Sequence, residues 1–169
     1  MFLRSVTIIL LLQAVVGCSK SQKKSEPDKD KPAPAITTFT NPLLSSGPDP
    51  WVIQKDGYYY YMNTQGSQVS ILKTKALSQL NRAEVTVAYK APASGADSKN
   101  IWAPELHFLN NKWYIYYTAG SSGDLSTQRM FVLENSNADP TKGTWVVKGQ
   151  IKDNNADFFA IDATVFSNN

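Results

Sequence analysis

The chain has 169 residues, a formal charge of +3 and a single cysteine. A lone cysteine excludes an internal disulfide and a cysteine-based metal cluster. The positive charge does not indicate a nucleic-acid partner, because all of it lies before residue 36. From Ile36 onward there are eleven Lys and Arg against eleven Asp and Glu, so this part of the chain is neutral.

The first residues carry the features of an export signal. Arg4 precedes an apolar run at 6–16, which is too short to span a bilayer as a helix and is typical of a secretory signal. The sequence Val15-Val16-Gly17-Cys18 resembles a bacterial lipobox. Residues 1–17 are therefore predicted to be a lipoprotein signal peptide, with Cys18 as the lipidated first residue of the mature protein. The alternative is an ordinary signal peptide with a chance cysteine.

The segment that follows, 18–35, consists of Lys, Ser, Asp, Glu and Pro with almost nothing apolar. It cannot bury enough apolar surface to offset its chain entropy, and it is predicted to be a disordered tether. The protein is accordingly expected at the bacterial cell envelope, facing either the periplasm or the cell surface. Its membrane contact is expected through the lipid anchor only, with no nucleic-acid partner.

From residue 36 onward the signals are those of short strands joined by tight turns. Asp56-Gly57 is a strong signal for a type I′ hairpin turn, and the four tyrosines that follow alternate between the two faces of a strand. Residues 77–82 are compatible with a short helical turn. Four strands are predicted in this stretch, at 51–54, 58–62, 69–73 and 85–89.

The pattern then restarts around a second turn at Asn110-Asn111. Strands are predicted at 105–109, 113–118, 129–133 and 145–148, and a third start at 161–166. The turn positions Gly57, Asn111 and Asn169 thus recur at nearly even intervals. Four strands per repeat at intervals of this size are typical of β-propeller blades. The alternative is a β-sandwich with evenly spaced hairpins.

An acidic residue stands near the first strand of each repeat: Asp49, Glu105 and Asp162. The first strand of each blade lines the axis of a propeller, so these acids are predicted to converge on one pocket at one end of that axis. Trp51 and Trp102 would give the pocket apolar walls. Acids among aromatic rings suit a sugar, whose ring faces stack on apolar rings and whose hydroxyls need acceptors.

Asp49 lies between Pro48 and Pro50. Because a proline disfavours helical conformations in the residue before it, Asp49 is predicted to be extended and held on a stiff backbone. Its alternative role is that of a turn residue that accepts local backbone hydrogen bonds.

Three motifs at blade spacing resemble glycoside hydrolase family 43, in the branch with α-L-arabinofuranosidases and β-xylosidases. They are Gly47-Pro48-Asp49-Pro50-Trp51-Val52, Ile101-Trp102-Ala103-Pro104-Glu105 and Ala160-Ile161-Asp162-Ala163-Thr164-Val165. The resemblance implies an all-β fold, a five-bladed β-propeller of which residues 36–169 form about the first two and a half blades. It also implies inverting hydrolysis that removes arabinofuranosyl or xylosyl units from plant cell-wall polysaccharide, with arabinan, arabinoxylan or xylan oligosaccharides as substrates.

The resemblance also implies roles for individual residues. By position, Asp49 matches the general base, and Asp162 matches the third carboxylate, which orients the general acid and modulates its pKa. Trp51 and Trp102 match the substrate pocket, whereas Glu105 either contacts the substrate or anchors its own blade. No cofactor is required, although family members often hold calcium or another ion in the axial channel of the full-length protein. No oxygen-rich ligand loop is evident for such an ion.

Two further residues are not expected to take part in catalysis. His107, the only histidine, is expected to be a packed or hydrogen-bonded structural residue. Glu134 lies in an outer strand of the second repeat, and its neighbours do not match the motif of the family's general acid, which is a glutamate in a later blade.

The length of the chain limits what it is expected to do. Five blades of this size need about 280 residues, whereas 134 follow residue 35. We therefore expect the chain to be the N-terminal part of a longer enzyme, lacking the general acid and inactive by itself. Two other functions stay open: a non-catalytic glycan-binding surface lipoprotein, and a related furanosidase propeller that acts on fructans.

Overall fold

The computed structural model describes residues 38–121 and 123–168, so the predicted signal peptide, Cys18 and the predicted tether lie outside the described residues. Within the described part the fold is all-β, as predicted. The strands are β1 (Trp51–Lys55), β2 (Tyr58–Met62), β3 (Gln68–Thr74), β4 (Glu84–Lys90), β5 (Lys99–Leu109), β6 (Lys112–Gly120), β7 (Arg129–Asn135) and β8 (Val146–Gln150). Short 3₁₀ helices lie at Leu77–Arg82, which confirms the predicted helical turn, and at Leu125–Thr127. The described residues contain no helix with the length and apolar run needed to cross a membrane.

The strands form two antiparallel sheets in simple meander order, β1-β2-β3-β4 and β5-β6-β7-β8. This confirms the prediction of two successive four-stranded repeats. Each sheet opens with a two-residue hairpin whose central residues all have positive φ: Asp56 and Gly57 at 52° and 78°, Asn110 and Asn111 at 50° and 61°. Positive φ at both central residues defines the type I′ turn, whose twist matches that of the flanking strands.

The first strand of the second repeat is longer than predicted. It begins at Lys99, and its pairing with β6 shifts register between Lys99 and Trp102 and again between Trp102 and Glu105. Such irregularities bend a strand and redirect its side chains. The segment between β2 and β3 also meets β5, because Gly66 and Ile101 exchange two backbone hydrogen bonds of 2.9–3.0 Å.

The predicted third start is wrong as a strand. Residues 161–166 have no regular secondary structure, and none of the described strands pairs with them in a ladder of hydrogen bonds. The segment is held by single contacts: Ala160 N donates to the Gln128 carbonyl at 3.2 Å, and Asp162 N donates to Thr118 Oγ1 at 3.4 Å.

Residues from both sheets form one hydrophobic core. Alternate residues of β6, namely Trp113, Ile115 and Tyr117, are fully buried in it. The Trp113 ring lies 5.4 Å from that of Tyr60 in the first sheet, and its Nε1 donates to the Ala138 carbonyl at 3.0 Å. The period-two burial of β6 therefore holds the two repeats face to face.

An ion pair links the two sheets at their outer side. Lys73 Nζ of β3 lies 2.6 Å from Asp139 Oδ2, in the segment between β7 and β8, and 4.3 Å from the centre of the Tyr58 ring. Thr141 Oγ1 donates to the other Asp139 oxygen at 2.7 Å. Burial raises the pKa of the Asp139 carboxyl, but the hydrogen bonds from Lys73 and Thr141 outweigh it, so the net pKa lies below its ordinary value.

Because of this ion pair, we expect the free energy of unfolding to depend on pH in the acid range. The Asp139 carboxyl has a lower pKa in the folded protein than in the unfolded chain, where it is about 3.9. The ion pair therefore stabilises the fold fully above the unfolded pKa, and this stabilisation is lost as the pH falls through the folded pKa. Asp139→Asn should therefore lower the free energy of unfolding at pH 6 and have a much smaller effect at pH 2.5, as measured by urea denaturation. Asp157→Asn is the comparison: the hydrogen bond from Arg129 also lowers the pKa of the Asp157 carboxyl, but that side chain is 72% exposed, so its replacement should have a smaller effect at pH 6. An equal effect of Asp139→Asn at both pH values would contradict the prediction.

Candidate active site

A pocket of about 220 Å³ opens at the start of β1, beside the middle of β5. It is lined by Asp49, Pro50, Trp51, Ala103, Pro104, Glu105 and Asp162. Three acids that are far apart in sequence thus share one cavity, with Trp51 as its aromatic wall. Trp102, which was predicted to be a second wall, is half-buried and is not among the lining residues.

The backbone of Asp49 differs from the prediction. Its φ is +52°, so it is not extended. Aspartate enters the positive-φ region more readily than most residues, and local bonds hold it there. Thr64 N donates to the Pro48 carbonyl at 3.0 Å, and Thr64 Oγ1 donates to Asp49 Oδ2 at 2.6 Å. These contacts on either side of Asp49 outweigh the preference that Pro50 imposes.

The registers of the two hairpins correct the prediction of one acid at the start of each first strand. Trp51 pairs with Met62 in the first sheet, and Glu105 pairs with Tyr116 in the second. Each pairing lies at the same distance from its turn, so Glu105 is the counterpart of Trp51. The counterpart of Asp49 is Ala103, which shares its positive φ, at 41°, and is likewise followed by proline. The second repeat therefore contributes its acid from a position two residues further into the strand.

Glu105 lies at the pocket and is also bound within its own strand. It lines the pocket, and its Oε2 lies 3.0 Å from His107 Nε2. His107 is 8% exposed and packs between two rings, with centroids 4.9 Å from Trp51 and 5.6 Å from Tyr116. The histidine is thus a packed, hydrogen-bonded residue, as expected, and it ties the Glu105 carboxylate to the aromatic wall.

Trp51 is held across the two sheets. Its Nε1 donates to the Leu106 carbonyl at 2.9 Å, so the indole cannot rotate freely within the pocket. A fixed apolar ring beside hydrogen-bond acceptors is suited to holding the face of a sugar ring.

Asp162 reaches the pocket from the segment that follows β8. Its φ is +55°, close to those of Asp49 and Ala103, and its backbone N–H is bound by Thr118 at the end of β6. Within the described residues, no Lys or Arg forms an ion pair with Asp49, Glu105 or Asp162. Carboxylates that are free of such partners around an open cavity can accept hydrogen bonds from hydroxyls or take a proton from water.

Glu134 lies outside the pocket, on the surface of the second sheet. Hydrogen bonds from Tyr114 and Lys112 lower the pKa of its carboxyl. A general acid that works near neutral pH needs a raised pKa, so this environment is unsuited to that role.

No metal centre is evident in the part of the chain that the structure describes, since none of its His, Cys, Asp and Glu side chains form a group of three placed to hold an ion. An ion in the axial channel stays a prediction for the full-length protein.

Two residues at the pocket were missed from the sequence. Thr64 bonds the Asp49 carboxylate and Ala103 occupies the place equivalent to Asp49, yet neither belongs to a residue type that stands out as catalytic. A signal was nevertheless present, because the interval from Thr64 to Thr118 equals the interval from Gly57 to Asn111.

Two successive four-stranded sheets, with three carboxylates at a pocket beside their first strands, define a repetitive all-β protein. The sequence model of glycosyl hydrolases family 43 matches residues 39–169. The chain belongs to this family.

Several relatives support the assignment. The chain is 35% identical over 167 residues to an extracellular exo-α-(1→5)-L-arabinofuranosidase of Streptomyces avermitilis, covering 97% of this chain and 34% of the relative. It is 36% identical over 137 residues to α-L-arabinofuranosidase 43 of Humicola insolens, covering 79% of this chain and 28% of the relative. The crystal structure of an α-L-arabinofuranosidase from Lactobacillus brevis superimposes with a TM-score of 0.70 at 33% identity, over 76% of this chain and 43% of that one. The chain thus spans about a third of the length of the curated relatives it matches.

Proposed function

We propose that this chain carries the water-activating half of an inverting glycosidase that releases arabinofuranosyl units from arabinan-type polysaccharide. The observation that carries the proposal is the convergence of Asp49, Glu105 and Asp162 on one pocket in a family 43 chain. The preference for arabinofuranosyl over xylosyl units is supported by relatives named as arabinofuranosidases. Xylosyl units stay a second substrate to be tested.

In the proposed reaction, Asp49 is the general base. Its carboxylate takes a proton from a water molecule while the water oxygen bonds to the anomeric carbon and the bond to the leaving oxygen breaks. A carboxylic acid on the other side protonates that oxygen, and the two carboxyl groups of such a pair stand about 6.5–9.5 Å apart to admit the water. We place this general acid outside the described residues, in the remainder of a five-bladed propeller. Asp162 is proposed to orient it.

The pocket surface supports this division of roles. Asp49 is exposed at the mouth and accepts a hydrogen bond only from Thr64 among the described residues. Trp51 offers an aromatic face, and Glu105, oriented by His107, offers an acceptor for a sugar hydroxyl.

The proposed location follows from the N-terminal residues and the relatives. Two of the relatives are named as extracellular enzymes, and residues 1–17 have the composition of an export signal. We propose that the protein is exported and anchored through lipidated Cys18, so that it acts on polysaccharide at the cell envelope.

The test is turnover by the full-length protein. We expect release of arabinose from an aryl α-L-arabinofuranoside, with the β-anomer as the first product seen by NMR, because water attacks from the face opposite the leaving group. Isolated residues 1–169 are expected to show none. Binding of arabinan without release would favour the glycan-binding lipoprotein, release only from fructan would favour the related furanosidase, and turnover by the isolated chain would contradict the placement of the general acid.

A further inference from the structure

Thr64 and Thr118 occupy equivalent places in the two sheets. The strand registers show the equivalence: Thr118 lies two residues beyond Tyr116, the partner of Glu105, just as Thr64 lies two beyond Met62, the partner of Trp51. The same residue type therefore stands beside the pocket in both repeats.

Both hydroxyls bind the next repeat in the same way. Thr64 Oγ1 accepts a hydrogen bond from Ala103 N at 2.7 Å, and Thr118 Oγ1 accepts one from Asp162 N at 3.4 Å. Ala103 and Asp162 both have positive φ, and both line the pocket. Each threonine thus holds the backbone of a pocket residue that belongs to the following repeat.

The two threonines differ in where their proton goes. Thr118 Oγ1 lies 3.3 Å from Met130 Sδ, a weak acceptor, whereas Thr64 Oγ1 lies 2.6 Å from Asp49 Oδ2. A hydroxyl has one proton to donate. Because the Ala103 N–H already points at the Thr64 oxygen, that proton is directed to the Asp49 carboxylate.

Resting on the proposed function, we infer that Thr64 is a positioning residue for the general base. Its single hydroxyl joins the Asp49 carboxylate to the backbone of the opposite pocket wall, Ala103-Pro104-Glu105, which comes from the next repeat. It occupies Oδ2 and leaves Oδ1 without a hydrogen-bond partner among the described residues, so that Oδ1 can accept the proton of the attacking water.

The test compares Thr64→Val, which keeps the shape and removes the hydroxyl, with Thr64→Ser, which keeps the hydroxyl. In the full-length protein with an aryl α-L-arabinofuranoside, Thr64→Val should lower kcat by about 10–100-fold, the usual effect of losing one hydrogen bond to a charged group. KM should change by less than about threefold, because the bond orients a group that acts in the transition state. Thr64→Ser should recover kcat to within about threefold of wild type.

Thr141→Val is the matched control. Thr141 also donates to an aspartate, Asp139, at 2.7 Å, but neither residue lines the pocket, so its loss should affect unfolding and leave kcat unchanged. If Thr64→Val proves too unstable to assay, Thr64→Ala against Thr64→Ser isolates the same hydroxyl.

The outcomes distinguish a failure of the role of Thr64 from a failure of the proposed function. If the wild type is active, Asp49→Asn is inactive and Thr64→Val retains kcat within twofold, the role of Thr64 is overturned while the proposed function stands. A fall in kcat that serine does not recover, or an equal fall in Thr141→Val, also overturns it. If the wild type itself shows no turnover, the proposed function fails and the role of Thr64 fails with it.

Discussion

Replacing Asp49 with asparagine in the full-length protein should lower kcat for an aryl α-L-arabinofuranoside by about 10²–10⁴-fold, the usual contribution of a general base. An amide of the same size cannot take a proton from water. The fold should be retained, because Asp49 is exposed, asparagine tolerates positive φ as aspartate does, and the amide oxygen can still accept from Thr64. Steady-state kinetics together with far-UV circular dichroism test both halves of the prediction.

Asp56→Asn is the control for this substitution. Asp56 lies in the β1–β2 turn and has the same φ of 52°. It pairs with Lys55, and its side chain is 74% exposed. Its replacement removes one negative charge without touching the pocket, so kcat should not change. Undiminished turnover by Asp49→Asn would overturn the assignment of the base.

Truncating Trp113 to alanine should produce the largest loss of stability in the described part. The side chain is fully buried, it packs 4.9 Å from the Phe108 ring and 5.4 Å from that of Tyr60, and its N–H is bound by the Ala138 carbonyl. Removal of such a ring typically costs about 3–5 kcal/mol. Urea denaturation followed by circular dichroism measures the change in the free energy of unfolding.

Trp145→Ala is the matched comparison for Trp113. Trp145 also donates its Nε1–H to a backbone carbonyl, that of Pro140 at 3.1 Å, but it is only partly buried at the edge of the core. Its loss should therefore cost less than that of Trp113. If the two alanine variants were equally stable, the core would not be centred on Trp113.

The regular part of the fold could be predicted because its determinants are local. Asp56-Gly57 and Asn110-Asn111 specify hairpins through residues that accept positive φ, and the alternation in β6 marks a buried face. Both four-stranded repeats follow from these signals. The strand predicted at 161–166 failed because a strand also needs a neighbour, which local sequence does not supply.

The site was predictable in part. The convergence of three acids on one end of the sheets follows from the repeat, as does the aromatic wall at Trp51. The equivalence of Glu105 with Asp49 was wrong by two residues, because the acid was matched by type and not by its distance from the hairpin turn. The location of Trp102 was also missed: it does not line the pocket, and the pairing of β5 with β6 shifts register on both sides of it, which local sequence does not reveal.

The sequence by itself determined the two hairpin registers, the interval between the two turns, and the acids that this interval brings to one edge. Only the tertiary structure decided what those acids touch. The bond from Ala103 N to Thr64, the bond from Trp51 to the Leu106 carbonyl, and the packing of His107 on Trp51 each join a residue of the first repeat to one of the second, so they depend on how one sheet packs on the next. A hairpin is specified by two turn residues, whereas these contacts arise only after the buried faces of both sheets have found each other.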